Sequence, residues 1–225
     1  TMKLDRPLLV LDCETTVHHP ARNSVLSLGA VIVNRNLLKT FRMKWDVRLE
    51  NLFEIFRGEY KRAQKVHGIP TRRALFGGQP VDEVVQDLIG LHLNNPDTLI
   101  AGNNVGFDWA FLNRMFEQAE RKNPFSYHLV DLTGLAAVHL GVVGLSKIAQ
   151  ALGQDATRYT KHDALGDAEL TADCLIALLK AIQATDEYAV KHAEDVGDKA
   201  GKESVGRLVA SNGRSFSDIA ADEGL

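Results

Sequence analysis

Two cysteines in 225 residues, Cys13 and Cys174, are too few for a disulfide framework or a thiolate zinc site. Both read as small buried residues, one in a strand and one in a helix. No apolar run reaches the roughly 18 residues of a membrane-spanning helix. No charged-then-apolar leader opens the chain, so a soluble, unexported, cytoplasmic protein without membrane contact is the expectation. A basic surplus is lacking too: 26 Lys and Arg stand against 29 Asp and Glu, a net charge of −3. That balance argues against a broad nucleic-acid-coating surface, which is strongly basic. Internal repeats and low-complexity tracts are absent. A 45% share of hydrophobic residues suffices for one large domain with an ample core.

What is present begins with strands. Leu8 to Leu11 and the more continuous Val25 to Val33 read as buried strands. Phe41, Met43, Trp45 and Val47 alternate with Thr40, Arg42, Lys44 and Asp46, a half-buried third strand. The polar turn Asn34-Arg35-Asn36 joins the second to the third, which makes the first three an antiparallel meander. Helical spacing predicts helices over Phe53 to Val66 and Val81 to Leu93. Strands at Leu99 to Ala101 and Tyr127 to Leu132 then alternate with helices at Trp109 to Arg121 and Ser146 to Leu152. Strands first and alternation afterwards imply an α/β protein, a mixed five-stranded sheet flanked by helices.

Asp12 and Glu14 end the first apolar run. In a strand, residues two apart face the same side, so both carboxylates project together. Neighbouring anions repel unless a proton or a cation lies between them, and hard divalent cations favour carboxylate oxygens. Taken alone, an Asp-x-Glu is more often a turn residue beside a solvated one. Asp108 follows the short strand Leu99 to Ala101 and the turn Gly102 to Gly106, at the opening of a helix with Phe111, Leu112, Met115 and Phe116 inward. There it is either an N-cap or a third acidic ligand. Asp167 sits near the start of a last helix carrying Leu170, Cys174, Leu175 and Leu178, with His162 five residues before it. Arg158 and Lys161 lie just ahead of that histidine. The segment Arg57, Lys61, Arg62 and Lys65 reads instead as a solvated basic helix face.

Together these residues resemble the DEDDh group of 3′→5′ exonucleases, the DnaQ-like proofreading and ribonuclease-T-like proteins. Asp12-Cys13-Glu14-Thr15 matches the family's Asp-x-Glu-Thr, and Asn104-Val105-Gly106-Phe107-Asp108 its Asn-x-x-Phe-Asp. His162-Asp163-Ala164-Leu165-Gly166-Asp167-Ala168 matches His-x-Ala-x-x-Asp-Ala, and Val66-His67-Gly68-Ile69 carries a fainter His-Gly-Ile. The resemblance spans about residues 5 to 182 in the right order. One departure is Val17, where the family often has Gly after the Thr-Thr pair.

The resemblance implies a ribonuclease-H-like fold and a metal-dependent 3′→5′ exonuclease acting on single-stranded nucleic acid, DNA favoured, to give nucleoside 5′-monophosphates. Two Mg²⁺ or Mn²⁺ ions would be held by Asp12, Glu14, Asp108 and Asp167. His162 would take the proton from the attacking water. Thr15, His67, Phe107, Arg158 and Lys161 would contact the substrate, with Trp109 a second ring beside Asp108. The alternatives are an RNA-trimming exoribonuclease of the same fold and a non-catalytic nucleic-acid-binding module. Five intact acid and imidazole positions speak against the module. The domain is drawn over residues 1–182. A helical or flexible extension, 183–225, has a break at Ser211-Asn212-Gly213 and is a candidate contact for a polymerase or other partner.

Overall fold

The computed structural model describes residues 4–195. Three strands, β1 (Leu8–Thr15), β2 (Val25–Val33) and β3 (Lys39–Asp46), form the antiparallel meander read from the alternation. Two parallel strands, β4 (Leu99–Gly102) and β5 (Leu129–Asp131), complete a five-stranded sheet ordered β3-β2-β1-β4-β5. The mixed sheet with helices around it is the fold class expected from the sequence.

β1 is the central strand, and its two faces feed two core layers. Leu9, Leu11 and Cys13 pack with α3 (Val81–Asn94) and α4 (Val105–Gln118). Leu8 and Val10 pack with α5 (Leu132–Leu140), α6 (Leu145–Ala151) and α7 (Ala164–Asp195). Full burial of a leucine such as Leu9 or Leu11 stabilises by about 1.5–3 kcal/mol. All nine residues of β2 are buried because helices or neighbouring strands cover both faces, hence its unbroken apolar run.

Several boundaries differ from expectation. The helix expected over Phe53 to Val66 is two pieces, a 3₁₀ turn (Leu52–Phe56) and α1 (Gly58–His67), parted by extended backbone at Arg57. The break follows from Glu54, whose carboxylate turns inward to the Ser24 amide and hydroxyl (3.0 and 2.8 Å) and to the Thr16 hydroxyl. Phe53 and Phe56 are consequently left on the surface. A short helix, α2 (Thr71–Phe76), follows Pro70 unannounced by any apolar stripe. β5 is shorter than Tyr127 to Leu132, since Asp131 caps α5 by accepting from the Thr133 amide, and Leu132 already belongs to that helix. α4 starts at Val105, before the expected Trp109. Cys13 and Cys174 are buried free thiols, as expected.

α7 runs unbroken through position 182, so the drawn division between domain and extension falls inside a helix. The expected break at Ser211-Asn212-Gly213 lies outside the described residues. Among the described residues, no single helix is long and apolar enough to cross a membrane.

Candidate active site

Pairing register puts the first two carboxylates in place. Asp12 lies opposite Gly29 and Glu14 opposite Ser27, on the face of β1 that carries Leu8 and Val10 toward α7. The start of α7 can approach that face because position 29 is glycine. A Cβ there would stand 2.1 Å from the Ala164 carbonyl oxygen. Asp167, in the first turn of α7, therefore comes to the Asp12–Glu14 pair. Asp163 caps the same helix, accepting from the Gly166 amide at 3.2 Å and from the Lys44 ammonium of β3. Between these anchors stands His162, exposed and in the left-handed region (φ 55°), its amide donating to Asp167 Oδ2 at 3.1 Å.

Asp108 arrives from the other side of β1. β4 pairs with β1 only as far as Val10, so beyond it the Cys13 amide has no strand partner on that side. It donates instead to Asp108 Oδ1 at 2.9 Å. Asp108 is 3% exposed and is not the N-cap of its own helix; that position is Asn104, at φ 61°. Asp131 Oδ1 accepts the Asn104 amide at 2.8 Å and so fixes the turn from which α4 starts.

Charge at this cluster is unbalanced. Burial, followed by the charges of Asp108, Asp167, Glu14 and Asp163, holds the Asp12 carboxyl well above the usual carboxylate range. Burial with Asp167, Asp163 and Asp108 pushes Glu14 up to about 8, against a lowering pull from Lys44. Burial raises Asp108 to about 7 although the Cys13 hydrogen bond opposes it. Asp167 is raised by burial, with His162 opposing. Asp163 goes the other way: burial would raise it, but Lys44 and the helix-start amides bring it below its ordinary value. Asp12 and Glu14, raised by burial and by their acidic neighbours, beside Asp108 and Asp167, raised first by burial, mark a place where a divalent cation would relieve the repulsion, and the oxygen donors fit a hard ion. Ligand atoms of Glu14, His162 and Asp167 all lie within 4.8 Å of one another.

Cavities border the cluster, and two of them exceed 300 Å³. One, of about 340 Å³, is lined by Glu14, Thr15, Val17, His18, His67 and Phe107 among others. The second, of about 370 Å³, runs past His162, Asp167, Lys161, Lys147 and Tyr159. Thr15 is buried on the lining of the first cavity, and its hydroxyl donates to the Val17 carbonyl at 2.9 Å. His67 Nδ1 accepts the Ile69 amide at 3.0 Å, while its Nε2 is buried without a partner among the described residues. Phe107 meets Phe111 and, edge-on, His18. Trp109 packs against the core. Arg158 is exposed on the 3₁₀ turn Ala156–Arg158 and lines neither cavity. Sequence reasoning passed over Lys44 and Asp163, whereas His18 lies in the loop Val17 to Ser24 that the departure at Val17 had already drawn toward the substrate cleft. Lys44 and Asp163 meet across 119 positions, which no local pattern reports, although Asp163 lay inside a quoted motif.

A family model described as Exonuclease, RNase_T, matches residues 9–175. Ribonuclease T of Escherichia coli K12 is 30% identical over 100 residues, 44% of this chain and 46% of that protein. The PolC-type DNA polymerase III of Thermotoga maritima is 23% identical over 184 residues, 80% of this chain but 12% of the polymerase. E. coli exonuclease I, solved in complex with a dT13 oligonucleotide, superposes with a TM-score of 0.66 at 19% identity. It covers 84% of this chain and 44% of its own, and shows the same fold. The chain thus spans less than half the length of each of these proteins.

Proposed function

Because the chain belongs to the RNase_T exonuclease family, the DnaQ-like group of 3′→5′ exonucleases, we propose that it hydrolyses single-stranded nucleic acid from the 3′ end. DNA is the favoured substrate and nucleoside 5′-monophosphates are the products. The observation that carries this reading is the meeting of three distant sequence motifs at one acidic cluster between two cavities.

Asp12, Glu14, Asp108 and Asp167 would hold two divalent ions, Mg²⁺ or Mn²⁺. Such ions, when bound, lower the pKa of a coordinated water and offset charge on the phosphate. The chain's own groups do the rest. His162 stands exposed beside the cluster and accepts the proton of the attacking water, a general-base role that imidazole side chains commonly fill. The amide link from His162 to Asp167 keeps the imidazole's turn against the carboxylates. The cavity beside Glu14 takes the terminal nucleotide, with Phe107 offering a ring face, His67 Nε2 a polar contact and Thr15 its backbone. Lys161 meets the phosphate upstream, where the second cavity opens past Asp167. Arg158 takes a more distant phosphate from its exposed turn.

The test uses 5′-labelled single strands of DNA and of RNA, and a closed single-stranded circle, with and without EDTA. Stepwise shortening of linear strands, chelator inhibition and an intact circle support the reading. Rapid cutting of the circle overturns the polarity. Preference for the RNA strand would assign an exoribonuclease, the reading that the ribonuclease T likeness supports. A polymerase as partner of this domain, through residues 183–225, rests on the PolC likeness alone.

A further inference from the structure

Away from the acidic cluster, the loop after β1, the 3₁₀ turn Leu52–Phe56 and the second half of α4 enclose a cavity of about 410 Å³. One arginine comes from each side: Arg22 from the loop, Arg57 from the end of the turn and Arg114 from α4. Their donors outnumber the acceptors within reach. Arg57 donates to the Arg22 carbonyl at 3.1 Å and to Asn23 Oδ1 at 3.2 Å, which fixes its guanidinium without neutralising it. Among the described residues, neither Arg22 nor Arg57 forms an ion pair. Arg114 reaches Glu117 at 3.5 Å, and its Nε is buried without a partner.

The carboxylates nearby do not close this gap. Glu54 lines the cavity, but Oε1 takes the Ser24 hydroxyl, and Oε2 takes the Ser24 amide and the Thr16 hydroxyl. Both of its oxygens are thus committed to the loop. Glu50 is the one other carboxylate on the lining, and it is exposed. In a chain of net charge −3, three guanidiniums around one cavity with a buried N–H lacking an acceptor call for an anion. A planar guanidinium fork matches phosphate oxygens better than any other common anion-binding side chain does.

We propose that this cavity is a second binding site, for a phosphate group carried either by a free nucleotide or by the backbone of a nucleic-acid strand. Its occupant would also steady the cleft. The loop that carries Arg22 and Asn23 on this side carries Val17 and His18 on the lining of the cavity beside Glu14. Glu54 ties both ends of that loop, at Thr16 and Ser24, to the turn that ends in Arg57.

The 225-residue chain in EDTA, which strips divalent ions from the catalytic cluster, is titrated with inorganic phosphate. The arginine Nε–H resonances are followed by ¹H–¹⁵N correlation spectra. Saturable shifts of Arg114 and Arg57 Nε–H are expected, weakened at least about tenfold in Arg57→Gln, read at Arg114, and in Arg114→Gln, read at Arg57, since each variant loses a charge-assisted donor. Thermal melting of each variant establishes that it is folded, and Arg114→Lys, which keeps the charge, should retain part of the binding. No saturable shift, or binding unchanged in both glutamine variants, overturns the site. A nucleoside 5′-monophosphate and a 3′-phosphorylated oligodeoxynucleotide are titrated in parallel. Tighter binding of the first assigns a free nucleotide as source, of the second a strand, and binding of neither overturns the site. The readout needs no hydrolysis, so it stands or falls apart from the exonuclease reading.

Discussion

The groups of the candidate site sit in two contrasting settings. Asp12 and Glu14 are locked by strand register, and Asp108 by a hydrogen bond from the backbone of that same strand. His162 stands on an exposed left-handed turn, fastened only through its amide to Asp167 and through its neighbour Asp163 to Lys44. Carboxylates that cannot move apart can relieve their repulsion only by taking up a proton or a cation. An imidazole on an exposed turn can be removed without moving them, although Asp167 loses its opposing charge. On the proposed function the contrast would separate holding the metal from moving the proton, and each prediction presses on that separation.

The largest effect is expected at Asp12. Asp12→Ala should abolish hydrolysis in a single-turnover assay and sharply weaken divalent-ion binding, because this carboxylate faces the three other acids of the cluster. Next is His162→Ala, which should lower turnover by about 10²–10⁴-fold, the usual contribution of a general base. Near-normal turnover would remove His162 from the chemistry.

Gly29→Ala tests whether the sheet and α7 must meet as closely as they do. Its new Cβ would fall 2.1 Å from the Ala164 carbonyl, so the helix start must shift. A loss of about 1–3 kcal/mol in unfolding free energy is expected, read by denaturant melts, together with reduced activity as Asp167 moves from the pair. An unchanged melt and rate would show that the close approach is dispensable.

The smallest effect is a slope with pH. Glu14 near 8 and Asp108 near 7 mean that the metal-free native state binds more protons than the unfolded chain once pH exceeds the ordinary carboxylate range. Stability is then greatest in mild acid and falls as pH rises through about 7 to 8. Melting temperatures in EDTA should show that decline, and saturating Mg²⁺ or Mn²⁺ should reverse it by displacing the protons. A flat profile in EDTA would mean that the carboxyls are not held in mutual repulsion.

Much of this organisation was legible in the chain itself. Period-two alternation in β3 and the apolar runs of β1 and β2 gave the meander, because burial dictates residue type there. The acidic positions were legible through the motifs of the family resemblance, which put them on a strand end and near two helix starts. α5 was not legible, since it is apolar all round and shows no stripe, and its start is fixed by the Asp131 cap. The break at Arg57 was hidden for a related reason. It depends on Glu54 reaching Ser24, thirty positions away, and local periodicity carries no record of such a contact.

The most direct test of the division of labour is calorimetric titration of Mn²⁺ into the wild-type chain, Asp12→Ala and His162→Ala. The account predicts that His162→Ala binds the ion as the wild type does while Asp12→Ala does not. Loss of binding in His162→Ala would contradict it. The imidazole, whose nitrogen lies within 4.8 Å of ligand atoms of Glu14 and Asp167, would then be a metal ligand rather than the group that takes the proton.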